Sequence, residues 1–372
     1  MNNLAWYAVV AGVGALVTAL LTRPARLISV QLGYQALPDE RKVHESPTPY
    51  GGGAAMLIGL CVAMIVAFNV PALHRVMVSS NEMVGVLLAA GVIFAVGAAD
   101  DFRPMSAPAK VAGQFLAASI LYFSGCTMYQ LKLPFAGFVV LGPSILPIIT
   151  ALWVFALANA VNLIDGLDGL AGGIVAIASG TLCIYGLRLE ELGLLPVTNV
   201  GPLIAALTCG ISLGFLKDNF HPAKLFMGDA GSLMLGLLMS ASTMVIGGRT
   251  PPASGVTFFF FAPLLIPVFI LGVPLIDAVW AFVRRTISGQ GFHTPDKNHI
   301  HHRLMRLGHG HRRTVVILWA WTAVLCGFVL LPLFNASINV WVTVGVGILV
   351  VFLFTWFSPL LEKFRQRFGY PH

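Results

Sequence analysis

The chain has 372 residues, of which 57% are hydrophobic and only 10% charged, and its mean hydropathy is +0.86. A soluble domain carries about 25% charged residues, so this composition excludes a water-soluble globule, a disordered chain and a nucleic-acid-binding domain. The formal net charge of +7 is therefore read as a determinant of membrane topology.

In chain order, apolar segments fall near 4–22, 51–70, 83–99, 108–124, 145–163, 170–187, 200–216, 230–247, 257–282, 314–333 and 338–358. Runs of this length predict an all-α polytopic integral membrane protein with about 11 transmembrane helices. The short alternating segments of a membrane barrel are absent from the sequence. The first run has no basic residue before it and is long enough to span, so it reads as a span and not as a cleaved signal. A weaker patch near 135–141, beside Pro134 and including Gly137, reads as interfacial. With the N-terminus outside, 18 of the 22 Lys and Arg residues fall on the inner side, leaving Arg75, Lys132, Arg188 and Arg249 outside. That asymmetry places the C-terminus in the cytoplasm. The prediction is one membrane domain over 1–372, with cytoplasmic loops at 23–50, 100–107, 164–169, 217–229 and 283–313. The five cysteines lie in or beside apolar runs and read as packing residues.

Twelve of the 15 acidic residues and nine of the ten histidines share the inner side. Topology does not require this, whereas a water-facing site at that surface does. Asp100 and Asp101 end the third span in Ala-Asp-Asp-Phe-Arg-Pro. Adjacent carboxylates beside lipid are costly unless wet, paired or metal-bound. They suit a phosphate and Mg²⁺ site; the plainer reading is a solvated helix end paired with Arg103. Asn159, Asn162, Asp165 and Asp168 recur every three residues. Gly166 and Gly169 break the helix there and gather Asn162, Asp165 and Asp168 into one cavity. For Asn159, hydrogen bonding between helices explains the residue equally well.

Further along, Gly228 and Gly231 flank Asp229, so backbone can approach a ligand closely, and Phe226 is suited to stacking on a base. The plainer readings are an interfacial anchor for Phe226 and a helix cap for Asp229. His299, His301, His302 and Arg303 fit diphosphate or sugar recognition better than zinc. No Cys or HExxH pattern accompanies them, and the adjacent His301 and His302 diverge on a helix. A loop rich in Pro and Gly, 38–53, holds Lys42 and His44, and Lys110 is a candidate phosphate ligand.

As a set, these motifs resemble the polyprenyl-phosphate N-acetylhexosamine-1-phosphate transferases of glycosyltransferase family 4. The matching stretches are RKVHESPTPYGGG from Arg41, the pair at 100–101, NAVNLIDGLDGLAGG from Asn159, FMGDAGS from Phe226 and PDKNHIHHRL from Pro295. The last loop is similar to the WecA/TagO branch, which uses UDP-N-acetylglucosamine, more than to the muramoyl-pentapeptide branch. The resemblance implies transfer of N-acetylglucosamine 1-phosphate from UDP-N-acetylglucosamine to undecaprenyl (polyprenyl) phosphate, with release of UMP. It implies a multi-pass enzyme of the bacterial inner (cytoplasmic) membrane that starts lipid-linked cell-envelope glycan synthesis, with Mg²⁺ as cofactor or Mn²⁺ in its place, and assembly as a homodimer. No nucleic acid is expected as a partner.

Residue by residue, the resemblance implies that Asp229 and Asn162 hold Mg²⁺ and that Asp100 takes a proton from the lipid phosphate, with Asp101 beside it. Lys42, Asp165, Asp168, Asn219 and Phe226 would line the nucleotide site, and Lys110 would contact phosphate. His299, His301, His302 and Arg303 would meet the diphosphate and sugar. Family forms with a further acid soon after the pair are not matched, since Phe102, Arg103 and Pro104 follow. A cation-coupled transporter would instead place charges near mid-membrane in two similar halves, and a lipid-binding scaffold would need neither the pair nor the Gly-Asp-Ala-Gly-Ser loop.

Overall fold

The computed structural model describes residues 3–36, 47–133, 137–249, 310–334 and, in part, 342–353. These residues form helices α1 (Asn3–Gln31), α2 (Gly52–Asn69), α3 (Pro71–Val78), α4 (Glu82–Phe102) and α5 (Ala107–Phe123). There follow α6 (Leu146–Ile164), α7 (Leu170–Glu191), α8 (Gly201–Asn219), α9 (Gly228–Gly247) and α10 (His311–Phe334). Seven of them, α1, α2, α4, α6, α7, α9 and α10, are long and apolar enough to cross a membrane. The expected segments at 108–124 and 200–216 are helical too, as α5 and α8, but are not among those seven. The expected span at 257–282 lies outside the described residues, and 338–358 is described only in part.

Three boundaries differ from expectation. Helix α1 does not stop near residue 22 but runs through Pro24 to Gln31. A proline removes one intrahelical bond, and the strong helix formers Ala25, Arg26 and Leu27 carry the helix past it. The inner loop thus starts later than expected, and strand β1 (Gln35–Ala36) pairs antiparallel with β2 (Thr48–Pro49) to tie its described ends together. The patch at 135–141 lies in a small hairpin, β3 (Gln130–Leu133) against β4 (Gly137–Val140), with Lys132 opposite Phe138. Asp100 and Asp101 sit within the last turn of α4, not in a loop.

Helix α9 is the centre of the bundle. From Gly228 to Ile246 every residue is buried except Asp229. It packs on α4, α6, α8 and α2, whereas α1 packs on α2 and α8 and exposes Leu16, Leu20 and Leu27 outward. Its first turn is gripped backbone to backbone. A Cβ on Gly97 of α4 would lie 2.5 Å from the Ala230 Cα, and one on Gly53 of α2 would lie 2.7 Å from the Gly231 nitrogen. Only glycine allows both approaches. At the far end of the same helices Arg249 forms an ion pair with Glu82, donates to the Gly125 carbonyl at 2.5 Å and lies over the Tyr129 ring. The two ends of α4 and α9 are therefore pinned independently.

Candidate active site

The site is assembled where α4 ends and α9 begins. The Asp101 carboxylate accepts the backbone N–H of Asp229 at 2.9 Å on Oδ1 and that of Ala230 at 3.1 Å on Oδ2. It thus satisfies two of the orphan amides of the α9 N-terminus from another helix. Gly228 adopts φ +68°, and a Cβ there would meet the same carboxylate. Tyr34 donates its phenol to Asp101 Oδ2 at 3.0 Å. Burial, reinforced by Asp101, pushes the Tyr34 phenol well above its ordinary value, so it stays protonated and can donate. Its ring stacks on Phe102 at 3.9 Å and lies 5.2 Å from Tyr50. The Tyr50 phenol is pushed up to about 12, first by burial and then by Asp101.

Asp100 leaves the α9 backbone to Asp101 and lies with Lys110 beside the Asp229 carboxylate. It forms an ion pair with Lys110 of α5, and its Oδ1 accepts the Met105 N–H at 2.7 Å. The Lys110 ammonium also lies 3.5 Å from Asp229 Oδ2, so it bridges the two acids. Asn162, in the last turn of α6, donates from Nδ2 to Asp229 Oδ1 and to Ser232 Oγ, both at 2.9 Å. Asp229 is thereby held by α6 on one oxygen and faces Lys110 with the other. Asp229 and Lys110 keep 31% and 32% of their side-chain surface open, so the cluster is reachable from water. Asn159 lies one turn earlier and pairs with Gln114 of α5 at 2.7 Å, as expected of an asparagine joining two helices.

The break at Gly166 and Gly169 is present. Helix α6 ends at Ile164, and Gly169 with φ +79° starts α7. Asp165 caps α6 backbone, and no hydrogen bond or ion pair of its carboxylate appears among the described residues. Burial and then Asp229 push this carboxyl well above the usual range. Asp168 Oδ2 accepts from His221 Nδ1 at 2.7 Å and from the Ala223 N–H at 3.0 Å. Asn219 is 2% exposed. Its Oδ1 accepts the Gly169 N–H at 2.9 Å and its Nδ2 donates to the Leu225 carbonyl at 3.1 Å. The Asn219 amide is thus spent on holding two loops together. Phe226 is half-buried, its ring 6.4 Å from Tyr50, and its backbone is fixed to Pro49 and Gly52.

The structure brings together Asp100, Asp101, Lys110, Asn162 and Asp229 around the start of α9, with Asp165, Asp168, Asn219 and Phe226 on the adjoining loops. Lys42, His299, His301, His302 and Arg303 lie outside the described residues. Three participants were not singled out by motif: Tyr34, His221 and His311. His221 sits inside the Asn-Phe-His-Pro run next to Asn219 and could have been flagged there. Tyr34 follows a helix end with no polar spacing to mark it. For a hard divalent ion, the donor set fits in kind. Carboxylate oxygens of Asp229 and Asp100 converge on a spot that already attracts an ammonium, and Mg²⁺ needs few protein oxygens because it keeps waters. Asn162 presents its nitrogen to Asp229, so the side chain orients that carboxylate, and its own Oδ1 takes no hydrogen bond among the described residues.

Fold and site together define a polytopic helical membrane protein with a lysine-bridged acidic cluster at one end of its central helix. Residues 83–247 match the model of Glycosyl transferase family 4. The chain is 40% identical over 319 residues to the decaprenyl-phosphate N-acetylglucosaminephosphotransferase of Mycobacterium tuberculosis, covering 84% of this chain and 78% of that protein. It is 35% identical to the probable undecaprenyl-phosphate N-acetylglucosaminyl 1-phosphate transferase of Bacillus subtilis, over 95% of this chain and 91% of that one. Against the undecaprenyl-phosphate alpha-N-acetylglucosaminyl 1-phosphate transferase of Escherichia coli the identity is 28%, over 91% and 87%. The chain belongs to glycosyl transferase family 4.

Proposed function

We propose that the protein transfers N-acetylglucosamine 1-phosphate from UDP-N-acetylglucosamine to a polyprenyl phosphate and releases UMP. The observation that carries this reading is the convergence of Asp229, Asp100 and Lys110 at the end of the central helix, in a chain whose relatives are named for this transfer. An oxygen of the lipid phosphate attacks the phosphorus that bears the sugar, and the bond to UMP breaks. Such a reaction needs positioning and charge neutralisation more than covalent help. Asp229, with Asn162 beside it, would hold Mg²⁺, which supplies neutralisation of the diphosphate and of departing UMP. Lys110 sets positive charge at Nζ against a phosphate oxygen. Asp100, next to that ammonium, takes the proton of the lipid phosphate. Asp101 acts on the backbone, fixing the turn that carries Asp229. Asp165, Asp168 and Phe226 face the nucleotide side, and His299, His301, His302 and Arg303 meet the diphosphate and sugar.

The same reading includes eleven spans in the bacterial cytoplasmic membrane, with the site on the cytoplasmic face. The inward excess of Lys and Arg supports it, and reporter fusions placing 283–313 outside would break it. The reaction is tested with purified chain, short-chain polyprenyl phosphate and Mg²⁺. UMP and a lipid-linked N-acetylglucosamine are expected from UDP-N-acetylglucosamine. Product only from UDP-muramoyl-pentapeptide would reassign the donor, and no UMP from either would reject the reading.

A further inference from the structure

We propose that Asp168, His221 and His311 form a second metal site, for a borderline divalent ion such as Zn²⁺, separate from the carboxylate cluster at Asp229. The three donors come from three parts of the chain: the loop between α6 and α7, the loop after α8, and the first residue of α10. One ligand atom from each lies within 4.8 Å of the others. His221 Nδ1 is 2.7 Å from Asp168 Oδ2, and the His221 and His311 rings stack 4.1 Å apart.

The second observation concerns His311 alone. Both its ring nitrogens are buried, and among the described residues neither makes a well-aligned hydrogen bond, the Asp168 backbone offering only a loose contact. A buried polar group left poorly met costs free energy, and a metal ion is a partner that removes this cost. Two imidazoles and one carboxylate make the three-ligand set of an open zinc site, and imidazole selects borderline ions over Mg²⁺. The three residues are of intermediate exposure.

Outer contacts already orient the ligands, as metal sites require. Asp168 Oδ2 also accepts the Ala223 N–H, and Arg312 Nε donates to the His221 carbonyl at 2.9 Å. The neighbouring Phe220 and Trp319 rings meet at 5.6 Å. Ligands on one Zn²⁺ at about 2.0–2.1 Å lie about 3.3 Å apart, wider than the His221–Asp168 pair at 2.7 Å, and the two imidazole planes are only 14° from parallel. Binding therefore turns the imidazoles so that both converge on the ion. The site goes beyond the proposed transfer but shares Asp168 with its nucleotide side, so metal binding is read in the absence of nucleotide.

The test uses tag-free, full-length chain in detergent, stripped with chelator and titrated with Co²⁺ in excess Mg²⁺. Visible d–d absorption reports binding, and X-ray absorption reports the number of imidazole ligands. Expected are one Co²⁺ per chain with two imidazoles, displaced by Zn²⁺. The band should be lost in His221→Ala and in His311→Ala, and kept in Asp229→Asn and in the triple variant His299→Ala, His301→Ala, His302→Ala. No binding, a band surviving either His221→Ala or His311→Ala, or a band lost in Asp229→Asn or in the triple variant overturns the proposal. Should a His221 or His311 variant not fold, fewer than two imidazoles on Co²⁺ in the triple variant overturns it. UMP release is followed separately, so failure of the metal site and failure of the transferase reading are distinguishable.

Discussion

Asp101 and Asp229 lie 128 residues apart, yet the carboxylate of the first accepts the backbone N–H of the second at 2.9 Å. The two acids therefore act in series: one builds the turn from which the other projects. Asp100, adjacent in sequence to Asp101, is on a different errand, because successive residues of a helix point about 100° apart. It meets Lys110 of α5 and, beside it, the Asp229 side chain, while Asp101 meets the α9 backbone.

Replacing Asp101 by Asn removes one acceptor oxygen and sets an N–H₂ against an amide or the Tyr34 phenol. We expect a loss of about 1–3 kcal/mol of stability, read as a lower thermal midpoint. The Mg²⁺ dependence of UMP release should shift to higher concentration. Tyr34→Phe, which removes one donor, should cost about 0.5–1.5 kcal/mol. An unchanged midpoint in Asp101→Asn would deny the capping role.

Asp229→Asn leaves Lys110 with Asp100 alone and weakens the oxygen site. UMP release should fall about 100-fold or more. Near-normal turnover across a Mg²⁺ titration would take Asp229 out of the metal site.

Asp100→Asn keeps shape but removes the acceptor charge beside Lys110. It should lower kcat by more than it raises KM for the UDP-sugar. The reverse pattern would make Asp100 a binding residue.

Asn219→Ala strips a buried amide from Gly169 N–H and Leu225 C=O. The two orphaned backbone groups should cost about 1–3 kcal/mol, and nucleotide affinity should fall only as the loop loosens. Weaker nucleotide binding at an unchanged thermal midpoint would mean direct contact.

Asp165 carries the pH prediction. Its carboxyl is raised in the folded state, first by burial and then by Asp229, so the folded chain holds this proton more tightly than the unfolded chain. Such a group stabilises fully below its unfolded value, and that contribution is lost as pH rises through the folded value. The thermal midpoint of the ligand-free protein should therefore fall as pH rises from the ordinary carboxylate range through the raised folded value, and Asp165→Asn should flatten that fall. Equal slopes in both proteins would remove Asp165 as the cause.

The helix break before α7 was legible in the sequence, because Gly166 and Gly169 interrupt a polar run that a continuous helix would have wound out of register. The pairing of Asp229 with Asn162 came only with the family resemblance; the residues themselves placed both on one predicted side. Which member of the Asp100–Asp101 pair turns inward was not, because that depends on the rotation of α4 against α9, set by the Gly97–Ala230 contact. Asn219 was expected at the nucleotide. Its partners are backbone atoms of residues 169 and 225, and backbone acceptors leave no trace in a pattern of side chains. The reach of α1 past Pro24 was hidden for a related reason: one lost bond is small beside the packing of a long helix on α2 and α8.

Helix α9 is sheathed by its neighbours along nearly its whole length, while α1 presents much of its surface outward. A change in bilayer thickness must be absorbed by the helices that touch lipid, through tilt or local adjustment. Because the first turn of α9 is seated against Gly53 and Gly97 and bound by Asp101, this end of the helix is braced independently of the lipid-facing helices. The architecture is that of a braced post inside an outer fence, which sets a charged cluster at the end of the helix least exposed to changes in the surrounding fluid.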